Sequence, residues 1–403
     1  MLSILLAAFG CAGEKRSESG EGGGTGRAMG GSSAGGSVTG GAGSSSGGAP
    51  GGGAATSGAA GSGGDLSGGG LGTSGAGGGS GAGAPSGGSG GGSATGIRID
   101  GRRIVVDGQP YHVRGVCWNP VPRGATHPAG LDYEGLAPVD VPLMEAAGIN
   151  TVRTYEPLLD RAVLDRLWAA GIRVLDTVYP YGGDPASVVS ARVEAVRDHP
   201  AILGWVLGNE WNYNGLYVDL SHAESLARVN EAAALVKAAD SSRPVVTVYG
   251  ELPSAETVAA MPDIDVWGIN AYRGIGFGDL LTVWAGRSEK PMFLAEYGAD
   301  AYNTLTGSYD PESQATAVRA LTEELLAASS ALTPDGVTLG GTLFEWSDEW
   351  WKAGNPDVQD VGGAAPGGGP YPDQTFNEEF WGVVDVERAT RPAYDELRAL
   401  YRP

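Results

Sequence analysis

After residue 95 the chain alternates strand-like and helix-like runs without a break, and this constrains its fold most. The strand-like runs are HVRGVCW, INTVRTY, RVLDTVY, AILGWVLGN, PVVTVY, DVWGINAY, PMFLAEY and TLGGTLFEW. Each is short, apolar and rich in β-branched or aromatic residues. Between them lie helical patterns such as EGLAPVDVPLMEAAG, LLDRAVLDRLWAAG and SHAESLARVNEAAALVKAAD. Two of these stop at glycines, Gly148 and Gly171, just before the next strand; a glycine there accepts the left-handed conformation that ends a helix. RPAYDELRALY supplies a closing helix. Eight strands and eight helices in strict order predict an α/β protein of the (β/α)8 TIM-barrel type. A doubly wound open sheet fits less well. It rarely alternates so strictly, and no glycine-rich dinucleotide fingerprint follows the first strand. Ahead of the barrel, IRIDGRRIVVDGQPYHVRG carries Asp100-Gly101 and Asp107-Gly108, which predict a short β-hairpin.

The first part of the chain is of another kind. More than half of its 70 glycines precede residue 97. Residues 17–95 are almost entirely Gly, Ser, Ala and Thr, which cannot bury enough apolar surface to offset ordering entropy. The expected organisation is a segment 1–16, a disordered Gly/Ser-rich linker 17–95 and a barrel domain 96–403. The net charge of −21 sits almost wholly on the barrel. Such a domain is a poor partner for nucleic acid or an anionic membrane and suits a neutral ligand. Two cysteines, Cys11 and Cys117, and four histidines show no metal-ligand spacing. No metal and no cofactor are expected, and a monomer is. Cys117 reads as a buried thiol.

In a TIM barrel the C-terminal strand ends carry the site. AILGWVLGNEWNYNG ends the fourth strand in Asn209, Glu210 and Trp211. Trp118 and Asn119 end the first strand, Arg153 and Tyr155 the second, and Asn270 and Tyr272 the sixth. Glu296 and Tyr297 end the seventh; Glu345 and Trp346 end the eighth. Two glutamates across such a mouth suit glycosidic bond cleavage. One protonates the leaving oxygen; the other attacks the anomeric carbon or activates water. Aromatics suit the apolar faces of sugars. Trp118, Trp211, Tyr213, Tyr302, Trp350 and Trp351 are candidate platforms. Trp205 and Trp211 flank Glu210 and are expected to desolvate it, raising its pKa toward that of a working acid. Glu345, beside Trp346, is expected to point away from the mouth.

The segment HPAILGWVLGNEWN resembles the acid/base segment of family 2 glycoside hydrolases. KPMFLAEYGAD is similar to their nucleophile segment, and FWGVVDVERATRPAYDELRALY to their barrel ending. GINTVRTY and AEYGA also resemble the fungal-type β-1,3-glucanosyltransferases. The resemblance implies a retaining mechanism with Glu210 as acid/base and Glu296 as nucleophile, their carboxyl groups ~5–5.5 Å apart. It implies that Asn209 bonds the sugar 2-hydroxyl, that Arg153 and Tyr272 bond Glu296, and that Trp346 floors the cleavage point. Family 2 enzymes carry β-sandwich domains before the barrel, where this chain has a hairpin and a tether. The expected substrate is therefore a neutral β-glucan or β-mannan ahead of a β-galactoside. Transglycosylation and non-catalytic sugar binding are the alternatives. The long loop KAGNPDVQDVGGAAPGGGPYPDQTFNEEF is expected to shape the cleft rim. The N-terminal MLSILLAAFGCAGEKRS resembles a bacterial lipoprotein signal. This implies lipidation of Cys11, export, and an outer-membrane or cell-surface location with the lipid as the only membrane contact; the alternative is an ordinary secretory signal and a secreted protein.

Overall fold

The computed structural model describes residues 96–362 and 369–402. The signal-like segment with Cys11 and the linker 17–95 lie outside them. Three short antiparallel strands come first: β1 (Ile97–Asp100), β2 (Arg103–Val106) and β3 (Gln109–Pro110). The Asp107-Gly108 turn between β2 and β3 has positive φ at both residues, 49° and 83°, the handedness that matches strand twist. The sequence suggested one hairpin; the structure adds β3 to it.

Eight parallel strands then close into a barrel: β4 (Val113–Cys117), β5 (Thr151–Arg153), β6 (Arg173–Tyr179), β7 (Ile202–Leu207), β8 (Val245–Gly250), β9 (Val266–Asn270), β10 (Met292–Glu296) and β13 (Thr338–Leu343). Pairing of β13 with β4 completes the ring, with Gly340 opposite Val113. A small ribbon, β11 (Tyr302–Asn303) and β12 (Ser308–Tyr309), follows the seventh barrel strand. The principal helices are α1 (Tyr133–Ala147), α2 (Arg161–Ala169), α3 (Ala186–Val196), α5 (His222–Ala239), α7 (Leu280–Arg287), α8 (Pro311–Ala327) and α9 (Pro392–Tyr401). Two are short, α4 (Trp211–Asn214) and α6 (Ala255–Ala259). Gly148 caps α1 in the left-handed conformation, as its position in the sequence suggests.

The core has two layers. Inside the barrel, Leu175, Leu203, Val206, Val246, Val248, Phe293 and Ala295 pack with Ile104 and Val106 of β2. The hairpin thus plugs the N-terminal end of the barrel. Arg102 and Arg103 fasten it by bonding the Ala285 and Ser330 carbonyls. Outside the barrel, Trp205, Trp267, Leu294 and Leu343 pack against the helices.

Candidate active site

The site lies at the open, C-terminal end. Glu296, last residue of β10, is buried, and both its oxygens are bonded. Its Oε1 accepts from Arg153 Nη1 at 3.0 Å and from the Tyr155 hydroxyl at 2.7 Å; its Oε2 accepts from the Tyr272 hydroxyl at 2.9 Å. Arg153 has no exposed surface, so its charge is spent inside the site. Burial opposes that charge, but Tyr155, Cys117 and Glu296 more than restore it. Burial, and then the Glu296 charge, hold the Tyr272 hydroxyl well above its ordinary pKa, so it stays a donor. Cys117 is a buried thiol, as expected from sequence; its Sγ donates to the Ala295 carbonyl and burial pushes it up to about 11.

Asn209 and Glu210 stand next to this group on the turn after β7. Arg153 Nη2 donates to Asn209 Oδ1 at 2.7 Å, and Asn270 Nδ2 donates to the same oxygen at 3.1 Å. One guanidinium therefore spans the two strand ends. Glu210 has a left-handed backbone, φ 47°, and caps α4. The turn is possible because Gly208 precedes it at φ 66°, where an added Cβ would come within 2.9 Å of the Trp211 ring. Burial raises the Glu210 carboxyl above the usual range, to about 8; the nearby Glu296 charge adds to this and a hydrogen bond from Asn270 partly opposes it. The site thus pairs a glutamate held by three donors with a carboxyl that favours its proton.

Three tryptophans are placed otherwise than the sequence suggested. Trp118 has no exposed surface; its Nε1 donates to Asp140 of α1, whose other oxygen pairs with Arg388. Trp211 is equally buried, with its Nε1 on Thr247 and its ring against His222 and Tyr249. Trp346 packs against Tyr394 of α9. None offers a face to a sugar. Trp205 bonds Asp240 on the outer side, so the two indoles flanking Glu210 in sequence both turn away from it. The eighth-strand aromatic at the mouth is Phe344, which contacts Tyr155 and Trp381. Glu345, expected to face away, belongs with Glu349, Lys352 and Glu378, whose charges all act on it. Lys352 bridges Glu349 and Glu378, at 3.3 and 3.1 Å, and lies over the Phe344 ring.

Sequence reasoning assigned no role to several of these residues. Tyr155 and Asn270 were placed at the strand ends beside Arg153 and Tyr272 but given no role, which strand alternation could have supplied. Phe376 and Glu378 lie in the Gly/Pro-rich loop expected to shape the cleft rim and Trp381 just after it, in a stretch without periodicity that singled out none of the three. Trp381 and Phe376 pack on Tyr272, so this loop does border the site. Of the other candidate platforms, Tyr302 packs on Phe380, Trp350 lies under Arg123, and Trp351 stacks on His127.

A closed barrel with glutamates after its fourth and seventh strands has the architecture of a glycoside hydrolase catalytic domain. Residues 185–321, which include both glutamates, match the family model for the TIM-barrel domain of glycosyl hydrolases family 2. Solved structures of similar fold include a β-glucuronidase from Faecalibacterium prausnitzii, at 21% identity and a TM-score of 0.55 over 76% of this chain and 51% of that one. A β-galacturonidase from Eisenbergiella tayi bound to galacturonate gives 18% and 0.55 over 76% and 54%. A Bacteroides uniformis β-glucuronidase gives 19% and 0.56 over 76% and 37%. The chain spans about half, or less, of the length of these proteins. A search of curated protein sequences found no match. Over residues 185–321 the barrel is thus similar to the family 2 glycoside hydrolase barrel domain, and its fold is that of the solved structures above.

Proposed function

We propose that this protein hydrolyses β-glycosidic bonds with retention of configuration, through a glycosyl-enzyme on Glu296. The observation that carries this reading is the unequal treatment of the two carboxyl groups. Glu296 receives three donors, from Arg153, Tyr155 and Tyr272, which fix both its oxygens at the end of β10. Glu210 is desolvated and keeps its proton, as a general acid must. In the first step Glu296 attacks the anomeric carbon while Glu210 protonates the departing oxygen. In the second, water attacks that carbon, Glu210 takes its proton, and the bond to Glu296 breaks.

The substrate we infer is a neutral β-linked oligosaccharide or polysaccharide. Several relatives by fold are named for uronic acids. Here Arg153 is engaged by Glu296 and Asn209, and Lys352 by Glu349 and Glu378. A sugar carboxylate would meet the carboxylates around these cations without a free partner among them. Whether the sugar is a glucan, a mannan or a galactoside follows from a substrate panel. Trapping with a matched 2-deoxy-2-fluoro-β-glycosyl fluoride, followed by peptide mass spectrometry, tests the chemistry. A label on Glu296 supports the reading; failure of every member of a gluco, galacto, manno and glucuronyl panel overturns it.

We further propose that the protein is exported and lipid-anchored through Cys11, on the strength of its signal-like N-terminus. Cys11→Ser is then expected to leave the membrane fraction; unchanged partition would refute the anchor.

A further inference from the structure

Two aromatic side chains flank Glu210 on its own turn, and they differ in what they face. Tyr217 bonds Asn209 and feels the charges of both Glu210 and Glu296, so it belongs to the side where the glycosyl unit is held. Tyr213 instead lies over Gly250, at the end of β8, with Glu210, Glu251 and Arg273 among the charged groups around it.

Tyr213 is also built into its place. Its backbone N–H bonds the Glu210 carbonyl at 2.8 Å, tying it to the acid's own turn. The neighbouring Asn212 side chain staples α4 to the end of β8, accepting from Gly250 N–H at 2.8 Å and donating to the Gly250 carbonyl at 3.0 Å. The Tyr213 ring lies so close over Gly250 that a Cβ there would come within 2.1 Å of Cε2. Even so, 51% of the residue stays exposed. An aromatic fixed by a staple and a glycine seat, yet half open to solvent, is unusual for a packing residue. Beyond it, Arg273 pairs with Glu251 at 2.5 Å and Asp279 at 2.9 Å, giving the same rim polar groups within reach of hydroxyls.

We propose that Tyr213 is the platform of a leaving-group subsite that binds a neutral pyranose ring, its apolar face on the phenol and its hydroxyls toward Glu251 and Arg273. This rests on the hydrolase reading above and extends it. The same subsite would receive an acceptor sugar once the glycosyl-enzyme has formed. A sugar hydroxyl would attack the anomeric carbon, Glu210 would take its proton, and the ester bond to Glu296 would break, leaving a new glycosidic bond and a free carboxylate.

The test uses the full chain trapped on Glu296 by the 2-fluoro sugar that labels it. Recovery of activity is timed in buffer and with a β-linked disaccharide of the same sugar, and the ratio of the two rates is the readout. In the wild type the disaccharide is expected to speed recovery at least about threefold, the range one stacked ring supplies. In Tyr213→Ala the ratio should fall toward one, and in Tyr213→Trp it should return. An equal ratio in wild type and Tyr213→Ala, or no acceleration in the wild type, overturns the subsite. If no fluoro sugar labels the enzyme, the hydrolase reading fails, and this inference with it. Thermal melts show whether each variant is folded.

Discussion

Glu210 carries two costs at one residue, a left-handed backbone and a desolvated carboxyl. Both have measurable consequences. The acid must be protonated in the first step, so kcat/KM is expected to fall as pH rises through about 8, the value to which burial and the Glu296 charge push it. Initial rates between pH 5 and 10 check this; a fall already complete by pH 6 would contradict it. The same shift bears on stability. A carboxyl whose folded pKa is raised stabilises the fold at low pH, and that contribution is lost as pH climbs from the carboxylate range to about 8. Glu210→Gln should therefore melt higher than the wild type at pH 9 and equal to it near pH 4, by differential scanning calorimetry. The roles also separate by chemical rescue. Glu210→Ala is expected to keep a first step on activated aryl glycosides and to yield a β-glycosyl azide with azide; Glu296→Ala should form no glycosyl-enzyme. Reversed behaviour would exchange the two roles.

At the scale of the element, alternation decides what sequence can reveal. Within β5 and β9 and the residues just past them, period two brings Arg153 with Tyr155, and Asn270 with Tyr272, to one face, so most of the Glu296 environment was legible. Alternation misleads where a strand stops. β13 ends at Leu343, and Phe344, Glu345 and Trp346 lie beyond it. Counting inward and outward positions through them exchanged Glu345 and Trp346. Tryptophans were misread for a related reason. A buried indole usually finds a partner for its N–H, and Asp140 of α1, Asp240 just after α5 and Thr247 of β8 supply partners for Trp118, Trp205 and Trp211. Such long-range partners leave no trace in local sequence. The difference is testable. Trp346→Ala should cost about 3–5 kcal/mol of stability, as large aromatic truncations in cores do. Phe344→Leu, a milder change, should chiefly raise KM. Denaturant titration and steady-state kinetics of both variants separate the two residues; a KM effect from Trp346 without lost stability would restore the sequence-based placement.

For the molecule as a whole, eight-fold alternation made the barrel evident, while the hairpin's place under it was not. Two apolar residues, Ile104 and Val106, give no hint of which surface they will meet; closing the barrel creates that surface. Deleting residues 96–110 would open the barrel floor around Leu203, Val246 and Phe293. The truncated chain is expected to aggregate or to melt well below the intact barrel, measured by light scattering and calorimetry. Unchanged melting would show that the plug is dispensable. This arrangement also settles where the described chain begins. Gly96 bonds Asp107, and Asp107 pairs with Arg173 at the first residue of β6. At the other end, Tyr401 lies against Gly148, just ahead of β5. Both ends of the described chain therefore leave from the pole opposite the catalytic mouth. Coupling the protein to a bead through either end would hold it like a cup by its base, with the opening turned outward to a polymer too large to diffuse around it.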